Sequence, residues 1–134
     1  MAKTKKQKLI KKMDDLWSRI VRKVGRCEVC GCIQGLEAHH LIERGNHYYR
    51  FDIHNGLCLC TSHHQFSADK SAHGRKGSSM CAVDRFLEWF KEYKPEQWKW
   101  YQENKNNKPM ETLRMVFYEE AYIKLRESET QEWN

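Results

Sequence analysis

A chain of 134 residues has room for one domain with a modest hydrophobic core, small enough to benefit from a structural metal. Hydrophobic residues make up 40% of it, so its composition excludes an intrinsically disordered protein. The formal net charge of +6 favours a polyanionic partner such as nucleic acid; a basic surface that serves only solubility is the alternative.

The N-terminal residues carry much of the basic charge, with six lysines in MAKTKKQKLIKK. Such a start could mimic a signal peptide, but Leu9 and Ile10 are followed at once by Lys11 and Lys12, which leaves no apolar h-region. No stretch approaches the roughly 18 apolar residues of a membrane span. We therefore expect a cytoplasmic chain with no membrane partner, in which the six cysteines are metal ligands or buried thiols rather than disulfides.

The first predicted element is an amphipathic helix. Apolar residues recur at helical spacing from Leu9 to Val24, and Gly25 ends the helix. The lysines before Leu9, including Lys5 and Lys6, are predicted to form a frayed, solvated arm. Their role is either phosphate contact or solubility.

The next segment, residues 26–75, is rich in histidine and cysteine. Its helical pattern is poor, and two short strands are predicted, LEAHHLI and then NGLCLC after a turn. The pattern can turn helical after Cys60.

Helical spacing returns after residue 80. The segment CAVDRFLEWFKEYK has a predicted apolar face of Val83, Phe86, Leu87, Phe90 and Tyr93. Pro95 ends that helix or starts the next, EQWKWYQENKNNK, which is a short helix running into a loop. The last segment, METLRMVFYEEAYIKLRESE, has a predicted stripe of Leu113, Val116, Phe117 and Ala121.

Two cysteine-containing pairs have the spacing of zinc ligands. Cys27 and Cys30 form a Cys-x2-Cys pair, and Cys60 and His63 form a Cys-x2-His pair. Zinc accepts three thiolates and one imidazole, and four protein ligands leave no position for water, so the predicted site is structural. Unrelated buried cysteines are the alternative. Cys58 is predicted to be a core residue, and Cys32 and Cys81 to be free thiols.

The cysteine and histidine pairs, taken together with Asn55, resemble the motifs of a known family. The order of Cys-x2-Cys, the His39-His40 pair, Asn55-Gly56 and the Leu-Cys-x2-His-His run resembles the HNH nuclease family, in particular its phage-associated members. The resemblance covers residues 27 to about 75. It implies a ββα-metal core, two strands and a helix around one catalytic divalent ion.

Carried onto this sequence, the resemblance implies His40 as the general base and His39 and His64 as ligands of the catalytic ion. Asn55 would brace the hairpin and orient the base by hydrogen bonding. Some relatives have a third ligand four residues after the second; position 68 is alanine here, and His73 could supply that ligand instead. Mg²⁺, Mn²⁺ or Ni²⁺ are the candidate catalytic ions, beside the structural Zn²⁺.

Phosphodiester hydrolysis needs a base for the attacking water and charge relief on the phosphate, which a neutral imidazole and a divalent ion supply. Neighbouring residues of a regular strand point to opposite faces, so we expect His39 and His40 at a strand end or a distortion. Arg44 and Arg50 are predicted phosphate clamps, with surface salt bridging as the alternative. The remaining histidines, His47 and His54, are predicted to be exposed.

The predicted fold is α+β in a single domain, residues 1–134. It comprises a basic arm and helix (1–25), a ββα core stapled by zinc (26–75) and a helical C-terminal extension (80–134). The predicted function is metal-dependent DNA cleavage through contacts to the DNA backbone, in a bacterial cytoplasm and a phage or prophage setting. The rivals are a non-catalytic zinc module that binds nucleic acid and a zinc-stabilised protein-interaction domain. The sequence identifies no protein partner and no oligomeric state.

Overall fold

The computed structural model describes residues 2–67, 69–74 and 80–131, so Ala68 and the predicted core boundary at residue 75 lie outside the described part. Helices surround one small antiparallel sheet, and the α+β class is as predicted. The regular elements are α1 (Lys5–Val21), β1 (Leu36–His40), α2 (His47–Arg50), β2 (Gly56–Cys60), α3 (Met80–Tyr93), α4 (Pro95–Asn104) and α5 (Met115–Thr130). Short 3₁₀ turns occupy Arg22–Val24, Ile53–Asn55 and Met110–Leu113.

Helix α1 begins earlier than the sequence pattern predicts. Thr4 and Gln7 form a capping box, in which the Thr4 hydroxyl accepts from the Gln7 backbone N–H at 3.1 Å and the Gln7 side chain accepts from the Thr4 N–H. The expected frayed arm before Leu9 is therefore wrong for Lys5 and Lys6, which belong to the first turn. The predicted periodicity does hold, and the buried residues are Met13, Leu16, Trp17 and Ile20.

The two predicted strands form a hairpin in which Leu36 pairs with Cys60 and His40 with Gly56. β1 stops at His40, two residues before the end of the LEAHHLI run. There the backbone N–H of Leu41 donates to the Asn55 carbonyl and that of Ile42 to the Asn55 side chain, so the chain turns away from the ladder. The C-terminal end of β1 is thus fixed by Asn55 rather than by further strand pairing.

The segment after β2 is a five-residue π-helical turn, Ser62–Phe66. Its defining bond runs from the Ser67 N–H to the Ser62 carbonyl at 2.7 Å, the i→i+5 spacing of a π-helix. The described residues here give two strands and one short turn, whereas the predicted ββα core requires a longer helix opened by His64. Such turns occur frequently at functional sites.

Two hydrophobic clusters flank the sheet. One joins α1 to α5 and to the loop before β2, and its buried members are Met13, Leu16, Trp17, Ile20, Phe51, Tyr118 and Leu125. The other joins β2 to α3, and its buried members are Cys27, Leu57, Leu59, Cys60, Phe86, Trp89 and Phe90. Cys58 is fully buried, as predicted for a core residue. Cys32 and Cys81 are free thiols, as predicted, and both are exposed.

The C-terminal helices bury only part of the predicted apolar faces, among them Phe86 and Phe90 of α3. Tyr93, Leu113 and Val116 are 65%, 75% and 50% exposed, whereas Tyr118 and Leu125 are almost completely buried. On α5 the predicted stripe holds for Phe117 and Ala121, which are partly buried against the cluster with α1. It is wrong for Val116 and Leu113, because α5 presents Tyr118 and Leu125 to α1 and Leu113 precedes the helix. In the part of the chain that the structure describes, no helix has both the length and the apolar character needed to cross a bilayer.

Asp14 ties α1 to the loop between the strands. Its carboxylate accepts two hydrogen bonds from Arg50, at 2.9 Å from Nε and 2.6 Å from Nη2, and the Arg50 side chain is only 12% exposed. Burial alone would raise the pKa of Asp14, but the hydrogen bonds and charges of Arg50 and Arg44 outweigh it and lower that pKa. The pair is a partly buried, bidentate ion pair.

Asp14→Asn should lower the free energy of unfolding by about 1.5–3 kcal/mol, because Arg50 would lose its charged partner while remaining largely covered. Asp15→Asn is the matched control, since Asp15 is 57% exposed and pairs with Lys11 along the helix surface. That change should stay within about 0.5 kcal/mol. Urea unfolding of the zinc-loaded protein measures both, and equal losses for the two variants would contradict a special role for the Asp14–Arg50 pair.

Candidate metal centres

The structure brings together the four residues predicted to bind zinc, Cys27, Cys30, Cys60 and His63. The Cys60 sulfur lies 3.3 Å from His63 Nδ1, the Cys27 sulfur lies 3.9 Å from the same nitrogen, and the Cys30 and Cys60 sulfurs are 3.9 Å apart. A tetrahedral zinc ion sets its ligands about 3.8 Å apart for two sulfurs and about 3.6 Å for sulfur and nitrogen. The group could therefore hold a metal ion and is compatible with zinc.

Backbone hydrogen bonds shape the loop that carries Cys27 and Cys30. The Gly31 N–H donates to the Cys27 carbonyl and the Cys27 N–H donates to the Cys32 carbonyl, both at 2.8 Å. Gly31 has a φ of 78°, a left-handed conformation that favours glycine. Glu28 fastens this loop to β2, because its N–H donates to the Cys58 carbonyl and its carboxylate accepts from the Cys58 N–H.

The electrostatics of the cysteine group favour metal binding at Cys27. Burial by itself would raise the pKa of the Cys27 thiol, but the backbone N–H groups of Cys60, Cys30 and Val29 outweigh it and lower the pKa. Burial raises the pKa of the Cys30 thiol to about 11. A divalent ion among these sulfurs would stabilise both thiolates, since the thiolate is the form that binds zinc.

A second group consists of three histidines, His39, His64 and His73. Their ring centres lie 5.1 Å (His39–His64), 4.8 Å (His39–His73) and 4.7 Å (His64–His73) apart. One ligand nitrogen from each lies within 4.8 Å of the others. The predicted pair of metal ligands and the possible third, His73, are thus in one place.

The fit of a metal ion to this group rests on a buried atom without a partner. Among the described residues, His39 Nδ1 is buried and has no hydrogen-bond partner, which is costly for a polar nitrogen. Burial lowers the pKa of His39 well below its ordinary value, and the positive charges of His73 and His64 would lower it further. Burial likewise lowers the pKa of His73. Both rings are therefore neutral near pH 7 and can donate a lone pair to an ion.

The position of His73 follows from the backbone around it. The N–H groups of Ala72 and His73 donate to the carbonyls of His63 and His64 at 2.9 and 3.0 Å. Because of these two hydrogen bonds, the segment before Gly74 lies alongside the π-helical turn. They bring His73 to its partners although it lies outside regular secondary structure.

Glu37 is part of this centre and was not predicted. Its Oε1 lies 2.6 Å from His64 Nδ1, and its other oxygen accepts from the Thr61 hydroxyl at 3.0 Å. Burial alone would raise the pKa of Glu37, but the hydrogen bonds from His64 and Thr61 outweigh it and lower that pKa. A carboxylate on one ring nitrogen fixes a histidine with its other nitrogen free for a metal. The alternation of β1 contained the signal, since residues two apart on a strand share a face.

Glu37→Ala should weaken metal binding at the histidine group by about 10–100-fold, since His64 would lose the group that orients it. Glu37→Gln should fall between that variant and the native chain, because an amide oxygen still accepts from His64. Titration of Mn²⁺ or Ni²⁺ into zinc-loaded protein gives the affinity. Glu43→Gln, at an exposed position in the loop after β1, is the control. Native affinity in Glu37→Ala would rule out this role.

The adjacent residues His63 and His64 join different groups, as the sequence predicted. His63 faces the three cysteines, while His64 faces His39 and His73. Both lie in the π-helical turn that follows β2. The turn thus divides two neighbouring imidazoles between two candidate centres.

His40 lies beside the histidine group but faces the other side of the sheet. Its ring stacks on Trp17 with centroids 3.8 Å apart, whereas His39 meets Phe86 edge-on. The expectation of a strand end is confirmed, because His40 is the last residue of β1. A molecule placed at that end would have His39 on one flank and His40 on the other.

The hydrogen bond of His40 determines its tautomer. Nε2 lies 2.9 Å from the Arg50 carbonyl oxygen, which can only accept, so Nε2 carries the proton. In the neutral ring Nδ1 then holds the free lone pair. Burial lowers the pKa of His40, although the Arg50 carbonyl and Asp14 oppose that effect. His40 is consequently neutral near pH 7, the state that a general base requires.

Asn55 braces the hairpin, as the resemblance implies, but it does so through backbone contacts. Its Nδ2 donates to the carbonyls of Ile42 and Tyr49 at 3.0 Å, and its Oδ1 accepts from the Ile42 N–H at 2.6 Å. The expected direct bond from Asn55 to the imidazole of His40 is wrong, because the Arg50 carbonyl has that position. Asn55 acts indirectly, by holding the loop that carries Arg50.

The predicted phosphate contacts are arranged unequally. Arg50 and Arg44 both pair with Asp14, but Arg50 does so with two nitrogens, whereas the Arg44 side chain is 64% exposed. Lys5 is exposed at the start of α1, and the Lys6 ammonium lies 4.7 Å from the centre of the Tyr118 ring. Phosphate binding by these four residues stays a prediction, and Arg44 and Lys5 have the more accessible side chains.

Of the two remaining histidines, only one is exposed as predicted. His54 is 68% exposed. His47 is half-buried, with Nδ1 2.9 Å from the Tyr118 hydroxyl and Nε2 3.2 Å from Arg50 Nη1. The prediction for His47 is wrong because Tyr118, far along the chain on α5, covers it.

We found no match to this chain among protein-family models, curated proteins or solved structures. The HNH resemblance therefore stays a prediction drawn from the motifs. The two groups of ligand-type side chains and the neutral histidine beside them are the observations from which a function can be argued.

Proposed function

We propose that this chain is a metal-dependent DNA endonuclease of the HNH type, which hydrolyses phosphodiester bonds with His40 as the general base. One observation carries the proposal: a neutral imidazole with a free Nδ1 ends the same strand that supplies the buried, unpartnered nitrogen of His39 to a group of three histidines. A base beside a site for a divalent ion is the arrangement that phosphodiester hydrolysis requires.

Within this proposal His40 Nδ1 accepts a proton from the attacking water. The Arg50 carbonyl keeps the other ring nitrogen protonated, so the tautomer does not have to change before the reaction. Proton transfer of this kind contributes roughly 10²–10⁴-fold to the rate. The phosphate would lie at the end of β1, between His40 and the side of the sheet that carries His39.

The residues His39, His64 and His73 would hold the divalent ion. When bound, the ion would relieve negative charge on the phosphate and on the leaving 3′ oxygen. Imidazole ligands suit Mn²⁺, Ni²⁺ and Zn²⁺, whereas Mg²⁺ prefers oxygen ligands. We therefore propose that Mn²⁺ and Ni²⁺ support cleavage better than Mg²⁺.

The DNA partner is supported by charge. The chain has a formal net charge of +6, and Arg44 extends from the loop after β1 with an exposed side chain. Contacts from basic side chains to phosphates give affinity without sequence preference. The family resemblance adds the products, 5′-phosphate and 3′-hydroxyl ends, and a phage or prophage setting in a bacterial cytoplasm.

A plasmid-nicking assay with the zinc-loaded full chain tests the proposal. Supercoiled DNA should be converted to nicked or linear forms with Mn²⁺ or Ni²⁺, more slowly with Mg²⁺, and not with EDTA. The variant His39→Ala should bind DNA and retain zinc but lose cleavage. A pure native chain that leaves supercoiled DNA intact with every ion would refute the proposal.

A second candidate is a non-catalytic, zinc-stabilised module that binds nucleic acid. The observation in its favour is that Cys27, Cys30, Cys60 and His63 form a complete ligand set without the other histidines. It does not account for the unpartnered buried nitrogen of His39 or for the carboxylate on His64. DNA binding by the native chain without nicking under any ion would favour this candidate.

A further inference from the structure

We propose that Trp17 of helix α1 is a positioning residue for His40, holding the plane of the imidazole so that Nδ1 keeps one direction. This inference rests on the proposed function, because it gives the orientation of the general base a physical cause. It also extends the catalytic apparatus to the N-terminal helix, which lies outside the segment that carries the metal-type residues.

The contact between the two rings is a full parallel stack. Their centroids are 3.8 Å apart and their planes differ by 7°. Stacking at this separation places the face of the imidazole against the indole over its whole area, so a tilt of the imidazole would run into the indole. Among the aromatic pairs of the described residues, this one has the shortest distance between ring centroids.

The hydrogen bond to Arg50 cannot provide this constraint by itself. A single bond at Nε2 fixes one atom of the imidazole, and the ring could still rotate about its side-chain torsions while keeping that bond. The bond fixes a point and the stack fixes a plane. Together with the Cβ of His40 at the end of β1, they leave one direction for Nδ1.

Trp17 is itself held firmly enough to act as a support. Its side chain is 3% exposed, and its indole N–H donates to the Asp52 carbonyl at 2.9 Å. Gly56 is the β2 residue opposite His40, and a Cβ there would lie 2.4 Å from Val21 Cγ2 and 3.0 Å from the indole of Trp17. The absence of a side chain at Gly56 thus permits the close approach of α1 to the end of the sheet.

The consequence for the reaction is one of geometry. A base must lie within hydrogen-bond reach of the proton that it removes, and a misplacement of about 1 Å can cost on the order of 10² in rate. A role of Trp17 in stability alone would lower the melting temperature but leave the turnover of folded protein unchanged. The two roles can therefore be separated by experiment.

The test compares Trp17→Leu, which keeps an apolar side chain but removes the stack, with Trp17→Phe, which keeps an aromatic face but loses the bond to Asp52. In zinc-loaded, folded protein, Trp17→Leu should lower kcat of plasmid nicking by about 10²-fold with little change in KM. Trp17→Phe should restore kcat to within about tenfold of native, since the stack is partly retained. Where Trp17→Leu does not fold, Trp17→Met replaces it, because methionine fills irregular space.

Ile20→Ala is the matched control, a truncation in the same cluster one turn along the helix. It should lower the melting temperature and leave kcat near native. Equal kcat in Trp17→Leu and the native chain would overturn the inference. A fall of kcat in Ile20→Ala as large as that in Trp17→Leu would also overturn it, because the fall would then follow from lower stability and not from the stack.

A nuclear magnetic resonance measurement provides a readout independent of cleavage. The indole ring current should shift the His40 ring protons upfield in the native chain, and Trp17→Leu should remove that shift. An unchanged shift in an active enzyme would overturn the positioning inference while leaving the proposed function intact. A native chain that shows the shift but cleaves nothing would overturn the proposed function, and with it the role of the stack in catalysis.

Discussion

His40→Ala should reduce plasmid nicking by roughly 10²–10⁴-fold, the contribution expected of a general base. The physical reason is that alanine leaves the attacking water without a group to take its proton. The rate is measured as initial nicking velocity with saturating Mn²⁺. Zinc content and Mn²⁺ affinity should stay close to native, because His40 belongs to neither ligand group. The melting temperature should fall, because alanine removes the stack on Trp17 and the hydrogen bond to the Arg50 carbonyl, so the rate is compared in folded protein.

The control for this prediction is His54→Ala. His54 is an exposed histidine of the same loop region, hydrogen-bonded to Asp52, and it lies outside both ligand groups. It should cleave at the native rate. If His40→Ala cut DNA as fast as the parent chain, the general-base assignment would be wrong. The assignment of the two metal-ligand groups would not be affected.

Cys27→Ser and Cys30→Ser should each abolish zinc binding and unfold the segments that the group joins, the loop before β1 and the turn after β2, because structural zinc contributes on the order of 10 kcal/mol to such folds. The two positions differ in a useful way. Cys27 is buried and Cys30 is exposed, so a large loss at Cys30 cannot come from packing. Zinc measured by elemental analysis and unfolding followed by circular dichroism should fall together.

Two other cysteines provide controls for the zinc prediction. Cys32 is exposed and lies in the same loop, so Cys32→Ser should keep both zinc and stability. Cys58 is fully buried but outside the ligand group, so Cys58→Ser should lose some stability and keep zinc. A Cys30→Ser protein that is fully stable and contains no zinc would remove the structural role of the metal.

The group of Cys27, Cys30, Cys60 and His63 could be predicted because each of its two pairs has a short spacing, whereas the histidine group was predicted only from the family resemblance. Cys27 and Cys30 lie in one tight loop, and Cys60 and His63 lie at the junction of β2 and the π-helical turn. At such separations the backbone leaves few alternatives, so the residue order alone indicates which side chains converge. The hairpin follows for the same reason, from two short apolar runs and a turn.

The residues that support these ligands could not be predicted in this way. Glu37 contacts His64 across 27 positions of the sequence, and Trp17 reaches His40 from a different helix. The alternation of β1 places Glu37 on the same face as His39 but does not indicate that its partner is His64, because such contacts depend on how whole elements pack. A carboxylate or an indole also has many uses in a fold, so its residue type indicates no partner.

The two arginines between the strands also show that the sequence does not indicate tertiary contacts. Arg44 and Arg50 have the same charge and lie in the same loop, yet Asp14 holds Arg50 in a buried bidentate pair and leaves Arg44 largely in solvent. The sequence places both near the histidines but does not indicate which of the two side chains is exposed. The tertiary position of α1 makes the difference.

The division of His63 and His64 between two groups has a thermodynamic consequence. Both imidazoles belong to one short turn, and the His63 and His64 carbonyls also hold the segment that carries His73. Zinc at the cysteine group would then preorder the other three histidines and raise their affinity for a second ion. Linkage is reciprocal, so the second ion must tighten zinc by the same factor. Saturation with Mn²⁺ should therefore raise the concentration of chelator needed to remove half of the zinc at equilibrium, although Mn²⁺ would contact none of the cysteines.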